Sequence, residues 1–192
     1  MKKGYLNWLL VPVLIFTISA GAMAQSGVPF LRSRSWDHLY TTSAAEQASA
    51  QAIGYQPEGT EANVFTSQGS GMIPVFRLGR TAVAHFHHYY TTNVTEKDHL
   101  LSVAATGFSF EGVACFVFNT QVPGTFPVWR VDRNYQAAQW FLWWQISPEL
   151  SADSVLTMRQ SEKNSLLSHG YYENQQFGSL IGFAFPGTLG HD

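Results

Sequence analysis

A ten-residue motif that occurs twice limits the folds open to this chain. Residues 37–46 read DHLYTTSAAE, and residues 87–96 read HHYYTTNVTE. Residues 153–162, DSVLTMRQSE, keep the spacing from the first residue to the glutamate but lack the histidine, the tyrosine and one threonine. We call these three segments the repeated motif. A motif that returns in this way is typical of a chain built from copies of one structural unit.

The segments that flank the repeated motif recur as well. A short proline-to-arginine segment precedes each copy, at residues 29–32, 74–77 and 127–130. A glycine followed by an aromatic residue comes after each copy, at residues 54–55, 107–108 and 170–171. We therefore predict a single domain over residues 25–192, made of three repeats at about 28–72, 73–125 and 126–186.

The first 24 residues have the pattern of a secretory signal peptide. Two lysines precede a mostly apolar run, and small residues lead to an A-x-A site at residues 22–24. We predict cleavage before Gln25, a secreted or periplasmic protein, and no membrane span after cleavage. An uncleaved membrane anchor is the alternative, but the apolar run is short and is interrupted by an asparagine and a proline.

Charge and cysteine content exclude further classes of protein. Removal of the two leader lysines leaves nine basic side chains against thirteen acidic ones, so a nucleic-acid-binding protein is not predicted. The single cysteine, Cys115, cannot form an intramolecular disulfide bond. It alternates with Val113 and Val117, and we expect a buried strand residue rather than a reactive thiol.

Each repeat predicts the element order β-β-α-β. Residues 28–32 and 38–42 are rich in β-forming side chains and predict two strands. Residues 43–46 and 93–96 have the form of a capped helix start, in which the first side chain binds a free N–H and the glutamate reaches back to the cap residue. Arg159 occupies the cap position of the third copy, so that helix should begin less cleanly. A second strand pair or one long bent strand closes the repeat.

The predicted fold is β-rich α+β. A repeat of this size cannot bury a core alone, and three repeats packed around a common axis would leave few open sheet edges. We therefore expect one closed pseudo-threefold domain, either a three-bladed propeller-like ring or a trefoil-like ring.

The repeat resembles a family of secreted bacterial and fungal repeats of unknown function, whose unit reads P-L-Y-R, D-H-F-Y-T-T, E, G-Y and E-G. The matching residues of the first repeat are Pro29, Arg32, Asp37, His38, Tyr40, Thr41, Thr42, Glu46, Gly54, Tyr55, Glu58 and Gly59. The resemblance implies a noncatalytic module of an exported protein, alone or beside hydrolytic domains. The third repeat departs from the pattern at the histidine, the tyrosine and the Glu-Gly pair.

Three arginines occupy equivalent positions in the repeats, Arg32, Arg77 and Arg130. They could line a central anion-binding site, or they could pair with acids such as Glu58 and Glu111 and fasten one repeat to the next. Both alternatives remain open at this stage.

The histidine cluster at residues 85–88 is the only candidate for a metal site. His85 and His87 would project from the same face of a strand, but zinc needs three or four converging ligands. The local sequence supplies no such set, so no metal or other cofactor is predicted. There is also no G-x-S-x-G nucleophile motif.

Aromatic residues beside polar ones are the best indication of function. Aromatic rings stack on the C–H faces of sugars while neighbouring polar groups bind the hydroxyls, and the same surface suits a protein partner. The candidate ligand-binding residues, besides the three arginines, are Trp36, Asp37, His38, Tyr40, His88 and Tyr90. A further aromatic cluster, residues 140–144, lies in an insertion of the third repeat.

Three hypotheses for the function follow from these residues. The first is an exported, non-catalytic module that binds carbohydrate of the cell envelope or of the extracellular medium. The second is a protein-interaction or envelope structural module that uses the insertion of the third repeat. The third is a hydrolase with an unrecognised site around His85, His87 and His88.

Overall fold

A computed structural model describes residues 27–82, 85–133 and 152–192. The predicted signal peptide and the aromatic cluster at residues 140–144 lie outside this part of the chain. The described elements are β1 (Val28–Arg34), β2 (His38–Thr41), α1 (Ala44–Ala52), β3 (Gln56–Val64), β4 (Met72–Ala82), β5 (His85–Thr91), α2 (Val94–Ser102), a 3-10 turn (Ala104–Thr106), β6 (Ser109–Phe118), β7 (Phe126–Arg133), β8 (Asp153–Thr157), α3 (Gln160–Ser168) and β9 (Leu180–Pro186).

The elements fall into three groups in which the first strand pairs with the other two. Strand β1 pairs with β2 and β3, β4 pairs with β5 and β6, and β7 pairs with β8 and β9, always antiparallel. We call β1, β2, α1 and β3 the first group, β4, β5, α2 and β6 the second, and β7, β8, α3 and β9 the third. The fold is therefore β-rich, with an antiparallel sheet and three α-helices.

The last strands of the three groups, β3, β6 and β9, pair with one another and so join the groups. Strand β9 pairs with β3 at Asn63↔Phe185 and with β6 at Phe118↔Phe183. An isolated bridge, Phe65↔Phe116, links the ends of β3 and β6. The main strand order, β2-β1-β3-β9-β6-β4-β5, is that of an open sheet with β7 and β8 branching from β9. The predicted closed propeller-like or trefoil-like ring stays a prediction.

The Glu-Gly pair of the first two groups forms a β-bulge. Arg32 lies opposite Gly59 and Ser33 lies opposite Pro57, so Glu58 is the extra residue of β3. In the second group Arg77 lies opposite Gly112 and Leu78 lies opposite Phe110, so Glu111 is the extra residue of β6. Gly59 adopts a φ of 134°, which L side chains rarely reach. The bulge turns each glutamate toward the arginine of the neighbouring strand. Of the two predicted closings of the repeat, a strand pair or one long strand, the first two groups show one long strand.

The second strands are the innermost ones. Strands β2, β5 and β8 pack against one another, and the rings of Tyr40 and Tyr90 meet edge to face at 5.3 Å in the largest core cluster. Cys115 is buried in the same cluster, as predicted, and burial raises the pKa of its thiol. Among the described residues, no helix combines the length and apolar character that crossing a membrane would require.

The helix starts agree with the sequence in one respect and differ in another. Ser43 and Asn93 accept hydrogen bonds from the N–H of Glu46 and Glu96, as predicted, and Arg159 makes no side-chain cap. The prediction that the glutamate side chain accepts a hydrogen bond from the backbone N–H of the cap residue is wrong. A threonine hydroxyl two residues earlier takes the N–H of each cap residue instead, which leaves the three glutamates for other partners.

Candidate functional site

The first residues of β2, β5 and β8, the second strands of the three groups, lie close together. The hairpins end at Arg34↔His38, Ala82↔His85 and Arg133↔Asp153, and we call this end of the molecule the hairpin end. The first residue of each copy of the repeated motif contacts the second residue of another copy. These contacts are Asp37 with His88 at 2.7 Å, Asp153 with His38 at 2.9 Å, and His87 with Ser154 at 3.3 Å. The hairpin end therefore rests on a buried polar cluster.

Both aspartates of this cluster are fully engaged. Asp37 accepts hydrogen bonds from the Tyr55 hydroxyl and from the backbone N–H of His88. Asp153 accepts from the Tyr171 hydroxyl at 2.6 Å and from the backbone N–H of His38 at 3.0 Å. Burial alone would raise the pKa of Asp153, but the His38 ring and the hydrogen bonds from His38 and Tyr171 outweigh it and lower the pKa to about 2. Both carboxylates act as anchors between strands.

His87 is placed in the cluster as a donor. A guanidinium can only donate, so the Nδ1 atom of His87 accepts from Nε of Arg80 at 3.3 Å, and Nε2 is left to donate to Oγ of Ser154. Burial and the nearby Arg80 charge lower the pKa of His87 to about 4. Ser154 in turn donates to Asp132 at 2.7 Å. This polarity is the reverse of a nucleophile and its general base, and Ser154 is fully buried.

Of the two predicted metal candidates, only His87 has a described side chain, and that side chain already has other partners. Within the described ranges, no three His, Cys, Asp or Glu side chains are grouped as metal ligands. His87 is occupied by Arg80 and Ser154, and the side chain of His85 lies outside the description.

Tyr40 and Tyr90 connect the three second strands through their hydroxyls. The Tyr90 hydroxyl accepts from the N–H of Tyr40 at 2.8 Å and donates to its carbonyl at 3.2 Å. The Tyr40 hydroxyl makes the same pair of bonds with Leu156, at 2.9 and 2.8 Å. Leu156 has no hydroxyl with which to continue the series, and Arg130 donates to the Tyr90 carbonyl instead, at 2.7 Å. Both tyrosines are completely buried.

The three predicted arginines bind glutamates of the repeated motif across the groups. The pairs are Arg32 with Glu162 at 2.9 Å, Arg77 with Glu46 at 2.7 Å, and Arg130 with Glu96 at 2.9 Å. Each arginine also binds an acid of its own group, namely Glu58, Glu111 and Asp132 respectively. Of the two alternatives left open by the sequence, the structure shows the pairing with acids.

These pairs differ in burial. Arg130 and Glu96 have side chains 1% and 2% exposed, whereas Arg77 and Glu46 are 16% and 37% exposed. The more open pair borders a polar cavity of about 150 Å³ between the first and second groups. Thr41, Thr42, Ser43, Glu46, Arg77 and Glu111 supply its polar lining. The cavity offers hydroxyl and carboxylate groups, but both carboxylates are already paired with Arg77.

Each group has one partly exposed aromatic side chain near the hairpin end. Trp36 is 49% exposed in the β1–β2 turn, and Phe86, near the start of β5, is 39% exposed. Tyr172 is 38% exposed and bridges to Asp132 near the end of β7. The sequence identified Trp36 but missed the other two. Among the remaining candidates, Asp37, His38, Tyr40, His88, Tyr90, Arg32 and Arg130 are buried, and ligand binding by any of them stays a prediction.

Comparisons with known proteins assign the chain to a family without a known activity. No curated protein and no solved structure matches it. The family model described as domain of unknown function (DUF5648) matches residues 28–180, from the first residue of β1 to the first residue of β9. This agrees with the resemblance to a family of unknown function. The chain belongs to the DUF5648 family.

Proposed function

We propose that this protein is an exported, non-catalytic module that binds cell-envelope or extracellular carbohydrate at its hairpin end. The observation that carries the proposal is that every group has a partly exposed aromatic side chain near this end, namely Trp36, Phe86 and Tyr172. Aromatic faces stack on the C–H faces of sugar rings, and carbohydrate sites combine such rings with fixed polar groups.

The buried cluster below these aromatic residues supports the proposal because it holds the turn rigidly. Trp36 directly precedes Asp37, whose carboxylate is bound by Tyr55 and His88 and whose carbonyl accepts from the N–H of Ser35 at 2.9 Å. A binding side chain on a backbone that is already ordered loses less entropy when the ligand binds. We therefore propose that the repeated motif holds the turn in place and that Trp36 contacts the carbohydrate.

We also propose that the three groups are copies of one unit around a pseudo-threefold axis. The inter-group contacts support it, because equivalent positions make equivalent pairs in one direction around the molecule. The arginine of each group binds the motif glutamate of the group before it in the chain, with Arg32 of the first group returning to Glu162 of the third. A ring of this kind brings the ends of β1, β4 and β7 to one surface, which would allow a carbohydrate to be contacted at several points.

Two other hypotheses from the sequence predict different outcomes. A protein-interaction module would depend on residues 140–144, which lie outside the described residues. A hydrolase around His87 and His88 is less well supported, because both histidines are buried and bound to Ser154 or Asp37.

A glycan-array screen of the purified protein tests the proposal. We expect binding by the wild type and its loss in Trp36→Ala. Phe110→Ala is the matched control, since Phe110 is a similarly exposed aromatic residue of β6, at 48%, and contacts Phe76. The control should bind like the wild type, and both variants should unfold at the wild-type temperature. Absence of any bound glycan, or equal binding by Trp36→Ala, would overturn the proposal.

A further inference from the structure

The hairpin end carries a positive charge from every group. Arg34 is the last residue of β1, Arg80 lies two residues before the end of β4, and Arg133 is the last residue of β7. The chain as a whole has a formal charge of −2. Three guanidinium groups therefore lie at one end of a chain whose net charge is negative.

One of these arginines stacks on Tyr171, and the charges of the other two act on Tyr171 or on its neighbour Tyr172. The guanidinium of Arg133 lies over the ring of Tyr171, 4.9 Å from its centre. Burial and Asp153 raise the pKa of Tyr171, and the charges of Arg133 and Arg34 oppose that rise. Burial and Asp132 raise the pKa of the neighbouring Tyr172 to about 12, and Arg130 and Arg80 oppose it. The charges of Arg34, Arg80 and Arg133 therefore all reach this tyrosine pair.

Nearby acids are already used by other partners. Asp37 binds His88 and Tyr55, Asp153 binds His38 and Tyr171, and Asp132 binds Arg130 and Ser154. Among the described residues, Arg34 and Arg80 form no ion pair. They differ in this from Arg32, Arg77 and Arg130, each of which binds at least two carboxylates.

Arg80 is held in place with one edge open. Its guanidinium lies 4.7 Å from the centre of the Phe108 ring. Nε donates to His87 and Nη1 donates to the carbonyl of Thr106, both at 3.3 Å. Within the described ranges, Nη2 of Arg80 has no hydrogen-bond partner and is not fully buried, so it reaches solvent. A fixed guanidinium with a free N–H edge is suited to bind a carboxylate or a similar anionic group.

We infer that the carbohydrate bound at the hairpin end is an anionic polysaccharide, whose acidic groups bind Arg34 and Arg80 while its sugar rings stack on Trp36 and Tyr172. This inference rests on the proposed function and adds the substrate class. Sugar acids meet both requirements of the surface, since each residue of the polymer offers a ring face and a negative charge.

Affinity electrophoresis with two forms of one polymer tests the inference. The probes are polygalacturonate and its fully methyl-esterified counterpart, which share a backbone and differ in charge. We expect wild-type protein to be retarded by the acidic form only, with a retardation that weakens as salt rises. The double variant Arg34→Gln/Arg80→Gln should bind the acidic form at least about tenfold more weakly, as expected for loss of charge-assisted hydrogen bonds.

Lys97→Gln is the matched control for charge. It removes one positive charge at α2, where Lys97 lies over Phe76 and Phe110, and it should bind like the wild type. Equal binding of both polymer forms, or an unchanged double variant, would overturn the anionic assignment while leaving carbohydrate binding intact. Tighter binding of a single-stranded DNA oligonucleotide than of polygalacturonate would also overturn it. If neither polymer form nor any arrayed glycan is bound, the proposed function itself fails.

Discussion

Replacement of the motif glutamates by glutamine tests whether the repeated motif fastens the three groups together. Glu46, Glu96 and Glu162 occupy the same position of the motif, and glutamine is nearly equivalent to glutamate in a helix capping box. If capping were their role, the three substitutions would have small and similar effects. The structure assigns them ion pairs of very different burial, so it predicts three different effects.

The largest effect is expected for Glu96→Gln. Glu96 accepts two hydrogen bonds from Arg130, one from Tyr89 at 2.7 Å and one from Asn174 at 2.9 Å. The substitution removes one of the two carboxylates that neutralise a buried guanidinium, a change that costs about 3–5 kcal/mol. Glu46 belongs to a partly exposed pair, and Glu46→Gln should cost about 1 kcal/mol or less. Glu162 lies between them in exposure, and its substitution should have an intermediate effect.

Urea unfolding measures these differences directly. The free energy of unfolding of each variant is obtained by linear extrapolation and compared with that of the wild type. For a domain of this size, about 1 kcal/mol corresponds to a shift of about 2–4 °C in the melting temperature, so thermal unfolding gives an independent check. Three values that agree within about 0.5 kcal/mol, or a larger loss for Glu46→Gln than for Glu96→Gln, would refute the assignment.

Two further predictions concern the buried cluster. Tyr90→Phe leaves the N–H and carbonyl of Tyr40 without their hydroxyl partner and should lower the free energy of unfolding by about 1–3 kcal/mol, whereas Tyr172→Phe should change it by less than about 0.5 kcal/mol. The pKa of His87 is near 6.5 in the unfolded chain and about 4 in the folded protein. The neutral ring therefore stabilises the fold fully above pH 6.5, and about 3 kcal/mol of the free energy of unfolding is lost as the pH falls toward 4. The stability difference between wild type and His87→Gln should shift by that amount across this pH range, and a difference that stays constant would contradict the assignment.

Local elements were predictable from the sequence because they depend on neighbouring residues. Strand composition, the cap residues Ser43 and Asn93 and the burial of Cys115 all follow from short segments. The role of the motif glutamates was not predictable in this way. Glu162 binds Arg32, which is 130 residues away in the chain, and no local pattern distinguishes that partner from a capped backbone.

The candidate site was only partly predictable for a related reason. Aromatic residues and histidines fill β5 from residue 85 to residue 90, so no alternation of polar and apolar residues shows which side chains face solvent. The fold places Phe86 outward and buries His87 and His88. The conspicuous polar residues of the motif were therefore natural candidates for ligand binding, although the structure uses them to hold the groups together.

Chemical-shift mapping of the isotope-labelled protein, titrated with a short galacturonate oligomer, tests most directly whether ligand binds at the hairpin end and not along the buried motif. We predict that the largest amide shifts occur at Arg34, Trp36, Arg80, Phe86 and Tyr172. The largest shifts at Thr42, Ser43, Glu46 and Glu111, around the cavity between the first and second groups, would contradict the account.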